Sequence, residues 1–325
     1  MLIPRYWAEA RLQETHSGKS LTVRRFGWSL QSQEEAQSVA EARAREAIDK
    51  IRAGETLPRR ERKQAYGGAD GAPIREEIVE EHGTTVITRN SYGARCLNTP
   101  NVLFADLDDE VASVSFAASC LLPVIGVITS IAVGYQTGSL LWGAALFVLA
   151  VMFGPLVALA LTSIKVRLSG GPRAVRQRQI RGWMEKHPEW RLRIYETPAG
   201  IRLLATHAVF DPTSPEAVEF LKAMKSDPVY VTMCLNQRCF RARLTAKPWR
   251  IGVGAITPRP GVWPVAPDRL AGRRNWVQQY EEKAQNFAAC RFVEELGSGS
   301  THRDADAVRR LHDQLSGANS GLPIA

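Results

Sequence analysis

The sequence predicts an α+β protein, a ferredoxin-like β-α-β-β-α-β unit interrupted by a two-helix transmembrane hairpin. Three observations lead there. Residues 111–164 contain no Asp, Glu, Lys or Arg, although the 325-residue chain carries 42 Lys+Arg and 33 Asp+Glu. An apolar strand pattern, VLFADLD (102–108), ends in acid just before that block. After the block, helix and strand patterns follow one another in the order that a split β-α-β unit requires.

The first elements lie upstream of the block. RYWAEARLQ and LTVRRFGWS read as two strands of a hairpin turning at THSGKS. A helix follows, opened by a Ser32–Glu35 capping box, carrying Val39, Ala44, Ala47, Ile48 and Ile51 along one stripe, and closed by Gly54. LPRRERKQAYGGADGAP is a charged, Gly-rich loop whose Arg59, Arg60, Arg62 and Lys63 read as a solvated run. REEIVEEHG is expected as a short helix, TTVITRN as a strand and VLFADLD as the acidic strand.

Within the block, ASVSFAASCLLPVIGVITSIAVG and LLWGAALFVLAVMFGPLVALALTSI each have the length of a membrane span, and only YQTGS joins them. A connection that short requires a hairpin with both flanks on one side. Lys165, Arg167, Arg173, Arg176, Arg178 and Arg181 crowd the end of the second segment, so the basic-side rule puts both soluble parts in the cytoplasm of a bacterial inner membrane. The chain then divides into 1–110, a cytoplasmic part ending in the acidic strand; 111–164, the transmembrane hairpin; 165–250, the rest of the split domain; and 251–325, a Pro/Gly-rich segment with C-terminal helices.

Beyond the block, PRAVRQRQIRGWMEKHP reads as a helix, WRLRIYE and IRLLATH as strands around TPAG, SPEAVEFLKAM as a helix capped by Ser214, and PVYVTMC as a strand. RCFRARLT is a further strand. RNWVQQYEEKAQNFAACRFVEEL is expected as one helix ending at Gly297, with Trp276, Val277, Tyr280, Ala284, Ala288 and Phe292 on one side, and DADAVRRLHDQL as a last helix.

The bulk numbers limit the chemistry. Five scattered cysteines, Cys96, Cys120, Cys234, Cys239 and Cys290, argue against a disulfide framework and for reduced thiols. Cys234 and Cys239 lack a second metal-ligand pair at zinc spacing, and Cys290 stands alone. The six histidines are dispersed, the start of the chain has no cleavable-signal pattern, and no glycine-rich phosphate loop is present.

The strongest chemical candidate is Asp106-Leu107-Asp108. Residues two apart on a strand share a face, so the two carboxylates would repel unless a cation such as Mg²⁺ or Mn²⁺ lay between them; the alternative reading is a polar strand end, acidic because it emerges at a membrane surface. An Asp-x-Asp ending the first strand of such a unit resembles the first motif of the archaeo-eukaryotic primase and primase-polymerase superfamily, and VLFADLD is also similar to the first strand of nucleotide cyclases. The primase resemblance covers Val102 to Arg250 with the hairpin removed. It implies a palm domain, metal binding by Asp106 and Asp108, and nucleotidyl transfer. The family's Gly-x-His is here Gly200-Ile201-Arg202, so Arg202 replaces the histidine, and the third acid is missing from PVYVTMC. These departures imply a catalytically altered member.

A second constellation is basic. In CFRARLTAKPWR, Arg241 and Arg243 share one strand face, with Lys247, Trp249 and Arg250 next. With Arg202 these side chains are candidates for phosphate, and Trp249 offers a stacking surface for a nucleotide or nucleic acid. The same face suits anionic lipid headgroups beside the bilayer. The functional expectation is therefore a membrane protein whose cytoplasmic domain is a binding or interaction module, with a membrane-tethered, divalent-metal-dependent nucleotidyltransferase as the alternative. Whether it is an enzyme is left open.

Overall fold

The structure, a computed structural model, describes residues 1–16, 19–59, 73–109, 116–168, 170–259, 261 and 263–325. The turn residues Ser17 and Gly18, the loop cluster Arg60, Arg62 and Lys63, and the start of the uncharged block lie outside them. The described residues form an α+β chain that divides into two compact units. One comprises Met1–Asp106, His187–Pro198 and Arg202–Ala325; the other comprises Leu107–Lys186 and Ala199–Ile201.

The chain opens with β1 (Tyr6–His16) paired antiparallel to β2 (Lys19–Ser29), in register from Tyr6↔Ser29 to His16↔Lys19. Helix α1 (Gln33–Arg52) starts where the sequence places it: Ser32 accepts a hydrogen bond from the Glu35 amide. The Glu35 carboxylate takes its bond from the Ser29 hydroxyl instead of closing a reciprocal box. The helix lies on the hairpin through small residues, Ala36, Ala40 and Ala44 against Ala8 and Ala10, and further along Ala47 and Ile48 against Leu21 and Val23. Gly27 makes this approach possible, because a Cβ there would stand 2.1 Å from the Ala40 amide nitrogen.

A second sheet is antiparallel and ordered β3-β4-β5-β9, from β3 (Glu77–His82), β4 (Thr85–Arg89), β5 (Arg95–Thr99) and β9 (Phe240–Arg243). The expected helix at REEIVEEHG is therefore corrected to strand β3, which turns tightly at Gly83 (φ +61°) into β4 and sets Glu77 opposite Arg89. A Glu-rich segment with alternating Ile and Val satisfies the strand as well as the helix when cross-strand arginines match its acids.

The third sheet is ordered β10-β7-β8-β6, from β6 (Phe104–Asp108), β7 (Leu192–Thr197), β8 (Gly200–Ala205) and β10 (Arg291–Leu296). Strands β6, β8 and β7 stand in the order of a split β-α-β unit. The fourth strand, however, is β10 at the β7 edge, not PVYVTMC. That segment is helix α6 (Pro228–Gln237), started by Asp227 as cap and Pro228 in its first turn, with Tyr230, Met233 and Cys234 buried at helical spacing. The ferredoxin-like β-α-β-β-α-β assignment is corrected accordingly. Helix α7 (Leu270–Ala284) ends earlier than expected, and Phe292 belongs to β10. Helix α5 (Pro215–Ala223) keeps its Ser214 cap, and α8 (Arg303–Ser316) is capped by His302. Two aromatic groups anchor the core of this unit: Trp190 with Phe210 and Phe220, and Trp276 stacked on Tyr280 at 5.1 Å.

The other unit contains α2 (Phe116–Thr137), α3 (Leu140–Leu168) and α4 (Gly171–Lys186). Helices α2 and α3 form a close pair at Gly143, where an added Cβ would lie 3.1 Å from the Ser130 carbonyl. The expected transmembrane hairpin is corrected: among the described residues no helix is long and apolar enough to cross a membrane. Absence of charge is a weaker criterion than sustained apolarity. Helix α2 includes the uncharged polar residues Thr129, Ser130, Gln136 and Thr137, and α3 extends past its uncharged part into Lys165 and Arg167. The inner-membrane placement, the two-span topology and both membrane-based functional readings rested on that hairpin and fall with it.

Candidate functional site

The acidic strand and the strand beside it meet in an ion pair. Arg202 sits in the middle of β8 at 2 % exposure. Its Nε donates to Asp106 Oδ1 at 2.7 Å and its Nη2 to Oδ2 at 3.1 Å, the fork geometry in which guanidinium binds carboxylate most strongly. Nη1 donates to the Arg243 carbonyl at 2.8 Å. Burial works against the Arg202 charge, but the adjoining Asp106 carboxylate more than offsets it and drives the pKa above its ordinary value.

Around this pair the charges alternate. Arg202 Nη1 lies 3.5 Å from Nε2 of the fully buried His312, whose Nδ1 lies 3.2 Å from Asp313 Oδ1. Asp313 accepts from the Tyr195 hydroxyl at 2.6 Å and from Arg193 at 3.0 Å, and Arg193 also binds Glu295 at 2.9 Å. Cys290 Sγ stands 3.9 Å from His312 Nε2 and 3.4 Å from Ser316 Oγ. Helix α8 supplies His312 and Ser316 one turn apart, so both face Cys290. The segment before β10 is tied to the same helix end, with the Ala289 amide donating to the Ser316 carbonyl at 2.8 Å.

The basic strand face is divided. Arg241 is buried and bound to Glu76, which also accepts from Thr88 at 2.6 Å, so its charge is already matched inside the protein. Arg243 is half-buried and donates to the Thr245 carbonyl. Lys247 and Trp249 differ from these. A single 3-10 turn (Pro248–Ile251) holds the Trp249 ring 60 % exposed, edge-on to Tyr92 with ring centroids 5.3 Å apart. Lys247 Nζ lies 5.4 Å from the indole centroid. Arg250 is half-buried in the same turn.

Compared with protein-family models, curated proteins and solved structures, the chain matches none.

The divalent-metal expectation does not fit these residues. Both oxygens of Asp106 are engaged by Arg202, Asp108 is exposed at the strand end, and among the described residues no group of three His, Cys, Asp or Glu is placed to hold a metal ion. The Asp108 carbonyl accepts from Arg176 at 2.8 Å, and Asp109 lies 3.9 Å from Arg173. Cys234 and Cys239 are buried thiols; burial raises both, Cys239 to about 11.

Sequence reasoning singled out Asp106, Arg202 and Trp249 but missed His312, Cys290 and Asp313. The available signal was the pair His312-Asp313 on a strongly amphipathic helix pattern, whose inward face is a poor place for an imidazole unless it has partners.

Proposed function

We propose that the protein binds single-stranded nucleic acid, with Trp249 as the base-stacking platform and Lys247 and Arg250 beside it for phosphate. The observation that carries this reading is the exposed indole, oriented by Tyr92 and approached by the Lys247 ammonium. A large aromatic ring left in water and fixed in orientation loses little further freedom when a base stacks on it, and every base offers a π-face. The net charge of +9 favours a polyanionic partner. Arg202 and Arg241 have no part in it, since their charges are spent on Asp106 and Glu76.

The test is fluorescence anisotropy with a labelled oligothymidylate of about 16 nucleotides. Binding should weaken steeply with salt. Trp249→Ala should lose roughly 1–3 kcal/mol, while Trp249→Phe keeps most of the affinity. No binding at low salt, or equal binding by Trp249→Ala, defeats the proposal.

A further inference from the structure

Cys96, Cys234, Cys239 and Cys290 are all buried free thiols, and they differ in what lies beside them. Cys96 Sγ accepts a 3.4 Å contact from the Asn90 amide, a neutral neighbour. Cys234 and Cys239 lie in surroundings that keep them protonated. Cys290 alone of the four faces an imidazole, and that imidazole is backed by a carboxylate.

The order of the groups is that of a nucleophile, a base and an orienting acid. A carboxylate can only accept, so His312 Nδ1 donates to Asp313 Oδ1, and Nε2 faces the Cys290 sulfur beside the Arg202 Nη1 donor. Asp313 is held in turn by Tyr195 and Arg193. Burial alone would raise the Cys290 thiol, yet the attraction and hydrogen bond of His312, with the Arg202 charge behind, bring it below its ordinary value, and His312 is raised in return. The relay reaches water at its outer end, where Asp313 lines a surface cleft of about 400 Å³ with Arg309, Arg310 and Gln314.

We propose that Cys290 is a peroxide-reactive thiol activated by His312, selective for a small neutral hydroperoxide because the sulfur itself is fully buried. The Cys290 thiol passes its proton to His312 Nε2, and the resulting thiolate attacks one peroxide oxygen and forms an S–O bond while the O–O bond breaks. Sulfur gives up two electrons and the peroxide is reduced. The departing hydroxide takes the Nε2 proton of His312 and leaves as water, so the products are Cys290 sulfenic acid, water and neutral His312. The Ser316 hydroxyl, 3.4 Å from the sulfur, stands close enough to hydrogen-bond the oxidised product.

The test uses the folded, full-length protein. It is exposed to hydrogen peroxide for set times, quenched with catalase and unfolded in dimedone, and each cysteine peptide is quantified by mass spectrometry. Cys290 should form the sulfenic adduct at least tenfold faster than Cys96, Cys234 and Cys239. His312→Gln should slow Cys290 to the rate of the other three, with circular dichroism confirming the fold. Equal rates for the four thiols in the unaltered protein overturn the proposal without recourse to any variant. A Cys290 rate unaffected by His312→Gln in a folded protein overturns the assigned role of His312.

Discussion

The Arg202 guanidinium grips both oxygens of Asp106, at 2.7 and 3.1 Å, from a position almost without solvent, whereas the Asp106 side chain is 36 % exposed. The pair is therefore unequal. Removing the carboxylate strands a buried cation, while removing the guanidinium leaves an acid that water can reach.

Asp106→Ala should accordingly destabilise the protein by about 3–5 kcal/mol, the cost of an uncompensated buried charge. Arg202→Met should cost less, and the double variant should fall well short of the sum of the singles. Urea denaturation of the four proteins measures this. An Arg202→Met loss larger than that of Asp106→Ala would show that packing, not charge, sets the value of the pair.

Gly27→Ala should separate α1 from the β1-β2 hairpin. The new Cβ would lie 2.1 Å from the Ala40 nitrogen and 2.2 Å from the Ala36 oxygen, both backbone atoms that cannot swing aside. A loss of about 1–3 kcal/mol in thermal or urea unfolding is expected. Unchanged stability would mean that the helix sits further from the strand.

Asp313 gives a pH signature. Burial pushes its carboxyl up, but hydrogen bonds from His312 and Tyr195 and the charges of His312 and Arg193 outweigh burial and hold it below the ordinary 3.8. A carboxyl lower in the folded than in the unfolded chain stabilises the fold fully above 3.8 and loses that contribution as pH falls through the depressed value. Asp313→Asn should therefore be less stable than the unaltered protein near neutrality, with the two curves converging in acid. Parallel curves down to pH 2, measured by urea unfolding, would remove Asp313 from the linkage.

Local signals in the chain were strong wherever the local and the global preference agreed. The β1-β2 hairpin, the Ser32 and Ser214 caps and the β7-β8 turn are all recorded in neighbouring residues. Errors fell where one pattern serves two structures. VYVT has the β-branched composition of a strand but follows the Asp227-Pro228 helix start, and the apolar period of α7 continues by coincidence through Ala288 to Phe292 of β10. The site shows the same limit. Asp106 and Arg202 stood out as single candidates, but their pairing depends on β6 and β8 being neighbours. Cys290 and His312 come together only because α8 folds back along the segment that precedes β10.

The pairing of β5 with β9 joins Thr99 to Phe240, two residues far apart in the chain. During synthesis β5 leaves the ribosome long before its partner: roughly 140 residues must be added first, which at about 5–20 residues per second takes some 7–28 s. Throughout that interval the three-stranded β3-β4-β5 ribbon carries an open edge. A nascent chain of this protein should therefore need shielding along β5 until residues 240–243 emerge to close that edge.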